Sequence, residues 1–149
     1  MNICHICGVP WDAGYFDTAD IKVAPQNVGD EQELVRFELH PQYCGVLLNF
    51  AQYVEIGGAP RPDLVKTQDY EWIVLCNNQP RAPYLPTTII RNPWGQNAFP
   101  IHLRLEEGCT LRFIVRRTSQ TVPPLTQVGG RLQGRYWYNT IYGGAPNRL

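Results

Sequence analysis

Four side chains near the start of the chain are of types that bind zinc. Cys4 and Cys7 form a CxxC within "MNICHICGVPW", and His40 with Cys44 forms an HxxxC further on. Thiolate and imidazole are ligands that tetrahedral Zn²⁺ accepts, and four of them close a structural site. The spacing fits none of the common zinc modules, and His5 sits between the two cysteines as a competing donor. The plainer reading makes Cys4 and Cys7 small apolar packing residues beside Ile3 and Ile6, with Cys44, Cys76 and Cys109 as buried hydrophobes of strands. We therefore expect no metal and no cofactor, and Cys4, Cys7, His40 and Cys44 are the weak candidates for a zinc-stapled adaptor.

Other chemistry is sparse. The single serine, Ser119, lies in a polar "RTSQT" segment without the flanking glycines of a nucleophile elbow. "GGRLQGR" (129 to 135) lacks the lysine of a phosphate-binding loop and reads as a twisted or bulged strand. Glu106 and Glu107 are adjacent at a turn, so their side chains point apart and do not face one substrate. A cupin-like enzyme would need His40 and His102 to converge inside the fold, yet His102 alternates away from Phe99, Ile101 and Leu103. The expectation is a protein that is not an enzyme. Aromatic residues remain: Trp94 in "NPWGQN", Tyr84 in a proline-rich loop, and Trp137 between Tyr136 and Tyr138. They could stack on sugar rings or bases. Alternation sends Tyr136 and Tyr138 one way and Trp137 the other, so they do not share one platform; core packing and interface filling fit them better.

The elements that must position these residues are strands. In "FPIHLRLEEGCTLRFIVRR" (99 to 117), Phe99, Ile101, Leu103 and Leu105 alternate with His102 and Arg104. After Glu107-Gly108, Cys109, Leu111, Phe113 and Val115 alternate with Arg112, Ile114 and Arg116. A period of two around a glycine turn predicts a hairpin with one buried face and one arginine-bearing face. "LVRFELH" (34 to 40) alternates likewise, "VLLNFAQYVEI" (46 to 56) puts Leu48, Phe50, Val54 and Ile56 on one side, and "YEWIVLCN" (70 to 77) is apolar on both. The connections "IGGAPRPD", "NNQPRAPYLP", "RNPWGQN", "TVPPL" and "YGGAP" carry much of the 13 Pro and 13 Gly, which punctuate strands and argue against long helices. The only candidate helix is a short turn near "GDEQELV", which could equally lead into the strand. The pattern predicts an all-β protein, an antiparallel β-sandwich of jelly-roll or Greek-key type over residues 31–149, preceded by an irregular N-terminal arm over 1–30.

At 149 residues the chain fits one domain with a sizeable core. No apolar run reaches the roughly 20 residues of a membrane span, and the first residues lack the organisation of a signal peptide. Five cysteines in such a chain are expected as free thiols in a reducing cytoplasm. The charges are skewed. Residues 1–80 hold eleven acids against four bases, and residues 81–149 hold nine arginines against two acids. If the halves occupy different faces, one copy attracts the next; if their strands interleave, the charges cancel within the molecule. Zero net charge disfavours nucleic acid as a partner.

The hairpin "LRLEEGCTLRFIVRR", the strand "VGGRLQGRYWYN" and the Gly/Pro tail together resemble the β-sandwich auxiliary proteins of tailed-bacteriophage virions, the decoration, cement or head-completion subunits. The likeness spans roughly residues 33–142 and rests on pattern rather than on a diagnostic motif. It implies a non-enzymatic structural protein, made in the host cytoplasm and located in the virion, that binds and stabilises neighbouring capsid or other virion subunits. A homo-oligomer is expected, a trimer among the options, and no membrane partner. Interface candidates are Arg104, Arg112, Arg116, Trp94 and Trp137, because arginine and the large aromatics suit desolvated protein contacts. The alternative is a carbohydrate-binding β-sandwich module using exposed aromatics, which would need a coplanar aromatic patch.

Overall fold

The computed structural model describes residues 9–61, 69–80, 99–120 and 123–139. Cys4, Cys7, Tyr84, Trp94 and the C-terminal tail lie outside them. Every regular element among the described residues is a strand: β1 (Gly14–Val23), β2 (Glu31–Glu38), β3 (Tyr43–Ile56), β4 (Ala59–Pro60), β5 (Tyr70–Cys76), β6 (Gln79–Pro80), β7 (Phe99–Leu105), β8 (Thr110–Arg117) and β9 (Gln127–Tyr138). All pairings are antiparallel. One sheet has the order β1-β9-β3-β4, with β7 also paired to β3; the other has the order β2-β8-β5-β6. Among the described residues, consecutive strands pair in one sheet only at β3/β4 and β5/β6. Both are two-residue hairpins whose central residues have positive φ: Gly57 and Gly58 at 59° and 83°, Asn77 and Asn78 at 53° and 63°. That backbone twist matches the twist of the flanking strands, and Gly and Asn are the residues that tolerate it.

The expected 99–117 hairpin is not formed. β7 pairs with β3, whereas β8 pairs with β2 and β5, so the chain crosses from one sheet to the other between them. The alternation is as expected: Ile101, Leu105, Cys109, Leu111, Phe113 and Val115 are all buried and His102 and Arg104 are exposed, with Leu103 partly buried. Two strands with facing apolar sides satisfy the same pattern whether they lie side by side or opposite one another across a core, and period alone cannot distinguish these. The crossing is pinned by Gly108, at φ 64°, whose N–H donates to the Tyr43 carbonyl at 3.1 Å. Arg104 therefore belongs to the outer face of one sheet and Arg112 and Arg116 to that of the other.

Two further expectations change. Residues 14–23, expected within an irregular arm, form a ten-residue strand paired with β9 along its whole length. Their pattern escapes a period-two reading because only Phe16 of this edge strand is buried. In β3, a register shift between Leu47 and Asn49 interrupts the pairing with both neighbours. An extra residue exchanges the two faces of a strand, so Leu47, Phe50 and Val54 enter the main core while Leu48 packs on the opposite side. Residues 31–38 are strand from Glu31 onward.

The sheets share one core. Phe50 of the first meets Phe113 of the second edge-on at 5.5 Å, and Trp72 lies 6.0 Å from Phe113. A second, smaller apolar cluster covers the outer side of the first sheet, where Val9 and Ala13 pack on Cys44, Val46 and Trp137. The edge strands β1 and β2 run alongside one another without pairing. Their ends, with the start of β3 and the end of β9, frame the site described next.

Candidate functional site

The register of β9 against its neighbours brings an aromatic cluster to one end of the core. Tyr136 lies opposite Gly14 of β1 and Gly45 of β3, and Tyr138 opposite Tyr43. A Cβ at Gly14 would sit 2.8 Å from Cζ of Tyr136, and one at Gly134 would sit 2.5 Å from Cζ of Phe16. Glycine at these two positions leaves room for the rings to lie against the sheet. Phe16 stacks on Phe37 of β2 with centroids 4.1 Å apart and planes at 13°. Phe37 and Tyr136 are 6.4 Å apart at 54°, Tyr43 and Tyr136 6.0 Å at 50°, and Tyr43 and Tyr138 5.6 Å at 80°.

These rings enclose a cavity of about 350 Å³ whose walls are Phe16, Phe37, Tyr43 and Tyr136. Tyr15 stands at one side and Glu38, Leu39 and His40 form the other. The β2–β3 connection that supplies His40 turns through Gln42, whose φ of 72° is uncommon for a residue with a side chain. That turn is held locally: the Tyr43 N–H donates to the His40 carbonyl at 3.0 Å, the Tyr138 hydroxyl donates to Gln42 Oε1 at 3.2 Å, and the Asn139 N–H donates to the Gln42 carbonyl at 2.7 Å. The surface around the cavity is apolar and exposed, with Tyr15 at 74% and Tyr138 at 41%; Trp11, in the turn leading to β1, is 68% exposed. Arg135 reaches this rim from β9. Its guanidinium lies 4.2 Å from the Tyr15 ring centroid, and its Nη2 donates to the Ala13 carbonyl at 2.7 Å.

The residues singled out from sequence fall elsewhere. Trp137 is buried on the outer side of the first sheet beneath Val9 and Ala13, so alternation separates it from Tyr136 and Tyr138 as expected. Trp94 lies outside the described residues. Arg112 donates to Glu33 at 2.6 Å, and Arg116 pairs with Glu71 at 2.7 Å and Glu31 at 3.4 Å. Asp17 and Arg131 pair at 2.6 Å. Acids of the first half thus meet arginines of the second across strand pairs, the interleaved of the two outcomes. The Arg36 guanidinium holds the Glu33 carboxyl below its usual range, with Arg112 adding to the effect against some desolvation. Arg131 does the same to Asp17. Arg104 is exposed on the other sheet, opposite Val46.

His40 and Cys44 point to different places. His40 is exposed at the cavity, and Cys44 is buried in the outer cluster, where burial pushes its thiol pKa up. His40 and His102 are both exposed and do not converge inside the fold. Cys44, Cys76 and Cys109 are buried. No group of three or more metal-binding side chains occurs among the described residues.

Sequence reasoning weighed Tyr136 and Tyr138 but missed Tyr15, Phe16, Phe37 and Tyr43 as their companions. Phe37 and Tyr43 flank the β2–β3 turn, and the glycines at 14, 45 and 134 were the signal that backbone and rings approach closely there. A second missed cluster surrounds Arg117, which is only 2% exposed. It donates from Nε to the Ser119 carbonyl at 3.0 Å and from Nη1 to the Gln26 carbonyl at 2.8 Å, and it lies over the Tyr70 ring at 5.5 Å. The Ser119 hydroxyl bonds to buried Asp69. This cluster ties three chain segments together at the edge of the core. Comparison with known proteins finds no matching family model, no matching curated protein and no matching solved structure.

Proposed function

We propose that this chain is a non-enzymatic binding protein whose partner is another protein subunit, docked on the aromatic end of the fold. The observation that carries this reading is the grouping of exposed Tyr15 and Tyr138 around a 350 Å³ aromatic cavity, with exposed Trp11 in the turn that leads into β1. Large exposed aromatics are a liability on a free surface, and they supply most of the binding energy in protein interfaces. The volume lies within the range of pockets that take a side chain or small ligand. Arg112 and Arg116, by contrast, find their carboxylates within their own chain, which leaves them less to offer a partner.

For the architecture, we propose a β-sandwich of jelly-roll type, supported by the crossings between sheets at β1/β2, β2/β3, β4/β5, β6/β7, β7/β8 and β8/β9. With the sequence resemblance, this favours a decoration or cement subunit of a tailed-bacteriophage virion, made in the host cytoplasm and bound to neighbouring virion subunits, itself included if it is oligomeric. A flat sugar platform is less suited to this end, since the Tyr43 ring is inclined at 50° to Tyr136 and at 80° to Tyr138.

The test is sedimentation velocity together with binding to particles assembled without this protein. Replacing Trp11, Tyr15 and Tyr138 together by Ser should abolish association and leave the circular dichroism spectrum intact, whereas Arg112→Glu with Arg116→Glu should retain association. Unchanged binding by the aromatic variant would overturn the proposal.

A further inference from the structure

We infer that the aromatic cavity is a receptor for an alkylammonium group, of the kind a lysine side chain on a partner subunit presents. The inference rests on the reading of this end as the binding surface and adds the chemistry of what enters it. Phe37, Tyr43 and Tyr136 line the space, with Tyr136 inclined at 54° to Phe37 and at 50° to Tyr43. Rings so disposed cannot all lie against a flat ligand, but they can surround a compact one with π-electron density. The faces of aromatic rings carry negative potential, and a cation enclosed by several of them is attracted to each.

Charge points the same way. The acidic side chain lining the cavity is Glu38, and neither lysine nor arginine lines it. An anionic ligand would meet the Glu38 carboxylate, and a purely apolar one would leave it unused. Arg36 holds one Glu38 oxygen from outside the cavity, Nη1 to Oε1 at 3.3 Å, which keeps that carboxylate at the rim. The same rim already shows this preference within the molecule, because the Arg135 guanidinium covers the Tyr15 ring at 4.2 Å. Tyr15 is thereby engaged and one face of Phe37 is covered by Phe16, which leaves Tyr43, Tyr136 and the other side of Phe37 to a ligand.

A second copy of this chain is a poor source of the cation. It has two lysines, and Lys22 is held by Asp20 at 3.0 Å. The inference commits to a lysine of a different subunit.

The intact protein should be titrated, by isothermal calorimetry and by amide chemical shifts, with Nα-acetyl-lysine methylamide, tetramethylammonium, the Nα-acetyl-norleucine methylamide that lacks the charge, and methyl α-glucopyranoside. Weak saturable binding of the lysine derivative is expected, about tenfold tighter than that of the norleucine derivative, with shifts confined to residues 15–16, 37–43 and 136–138. Glu38→Gln and, separately, Tyr136→Leu should each weaken it, Glu38→Gln being an exposed change that leaves the core intact. A preference for tetramethylammonium over the lysine derivative would assign the site to free quaternary amines and overturn the lysine source. Equal affinity for norleucine, preference for the glucoside, or binding of none of the four would overturn the inference altogether. If none binds while particle association still depends on Trp11, Tyr15 and Tyr138, the cage fails and the docking surface stands.

Discussion

Gly130 and Phe113 form the tightest test of how the two sheets share one core. Phe113 of β8 is fully buried, and its ring is the point where Phe50 from one sheet and Trp72 from the other meet it. Gly130 of β9 faces it directly: a Cβ there would lie 2.6 Å from Cδ1 and 2.9 Å from Cε1 of the ring, and 3.2 Å from Cβ of Leu34. Gly130 is not among the glycines with positive φ, so alanine meets a steric problem and not a backbone one. Overpacking of this kind costs about 1 to 3 kcal/mol. Reduced freedom of the unfolded chain returns about 0.4 to 1 kcal/mol. Gly130→Ala should therefore destabilise by about 1 to 2 kcal/mol. Phe113→Ala removes the ring and should cost about 3 to 5 kcal/mol. In that background the new methyl group enters the space the ring has left, so Gly130→Ala should become neutral or slightly stabilising. The coupling between the two changes is then the overpacking cost itself, about 1 to 3 kcal/mol. Urea unfolding followed by tryptophan fluorescence, to which buried Trp72 contributes, would measure all four corners, at constant m-value. Where Phe113→Ala is too unstable to fold, Phe113→Leu gives the same sign with a smaller amplitude. Additivity within about 0.5 kcal/mol would show that β8 and β9 do not face each other in this register.

Three other outcomes follow from the polar groups. Arg117→Met should cost about 3 kcal/mol in urea unfolding, since it strips charged hydrogen bonds from two carbonyls, whereas Arg112→Ala, whose ion pair with Glu33 is part-exposed, should cost less than about 1 kcal/mol. The Glu33 and Asp17 carboxyls titrate lower in the folded chain than in the unfolded one. Their contribution is fully present above the unfolded values near about pH 4 and is lost as pH falls through the lower folded ones; the urea midpoint should drop in that window, and Glu33→Gln with Asp17→Asn should flatten the drop. In a Cys4→Ser, Cys7→Ser background the native protein should react with a thiol reagent far more slowly than the unfolded one, because Cys44, Cys76 and Cys109 are buried and burial raises the Cys44 pKa.

Local patterns were legible and long-range partners were not. The faces of β7 and β8, the separation of Trp137 from Tyr136, and the turns at Gly57-Gly58 and Asn77-Asn78 follow from alternation and from residues suited to positive φ. Which strand lies beside which is decided by the whole set of apolar faces at once. The same alternation in 99–117 serves a hairpin or a crossing, and only the pairing of β7 with β3 distinguishes them. The bulge in β3 hid for a related reason: Leu48 is as apolar as Leu47, so the shifted face left no trace in composition. The aromatic end was half visible. Tyr136 and Tyr138 stood out, whereas Tyr15, Phe37 and Tyr43 join them through strand order alone.

Charge and topology explain each other in this chain. β1 pairs with β9 along its whole length, β3 lies between β9 and β7, and β2 and β5 flank β8, so each long early strand borders a late one. An acidic first half and a basic second half then become neighbours by construction, as Asp17 with Arg131, Glu33 with Arg112, and Glu31 and Glu71 with Arg116. Each pair is too exposed to add much stability. Like charges on adjacent strands would nevertheless oppose the pairing, so the skew favours this strand order over one that pairs each half with itself. Such long-range pairing closes large loops before it gains contacts, which makes formation slow. It also leaves the outward ladders nearly neutral. Among the described residues, the inclined rings at the cavity and exposed Trp11 and Tyr138 take no part in these ion pairs, and it is there that the proposed partner would gain its binding free energy.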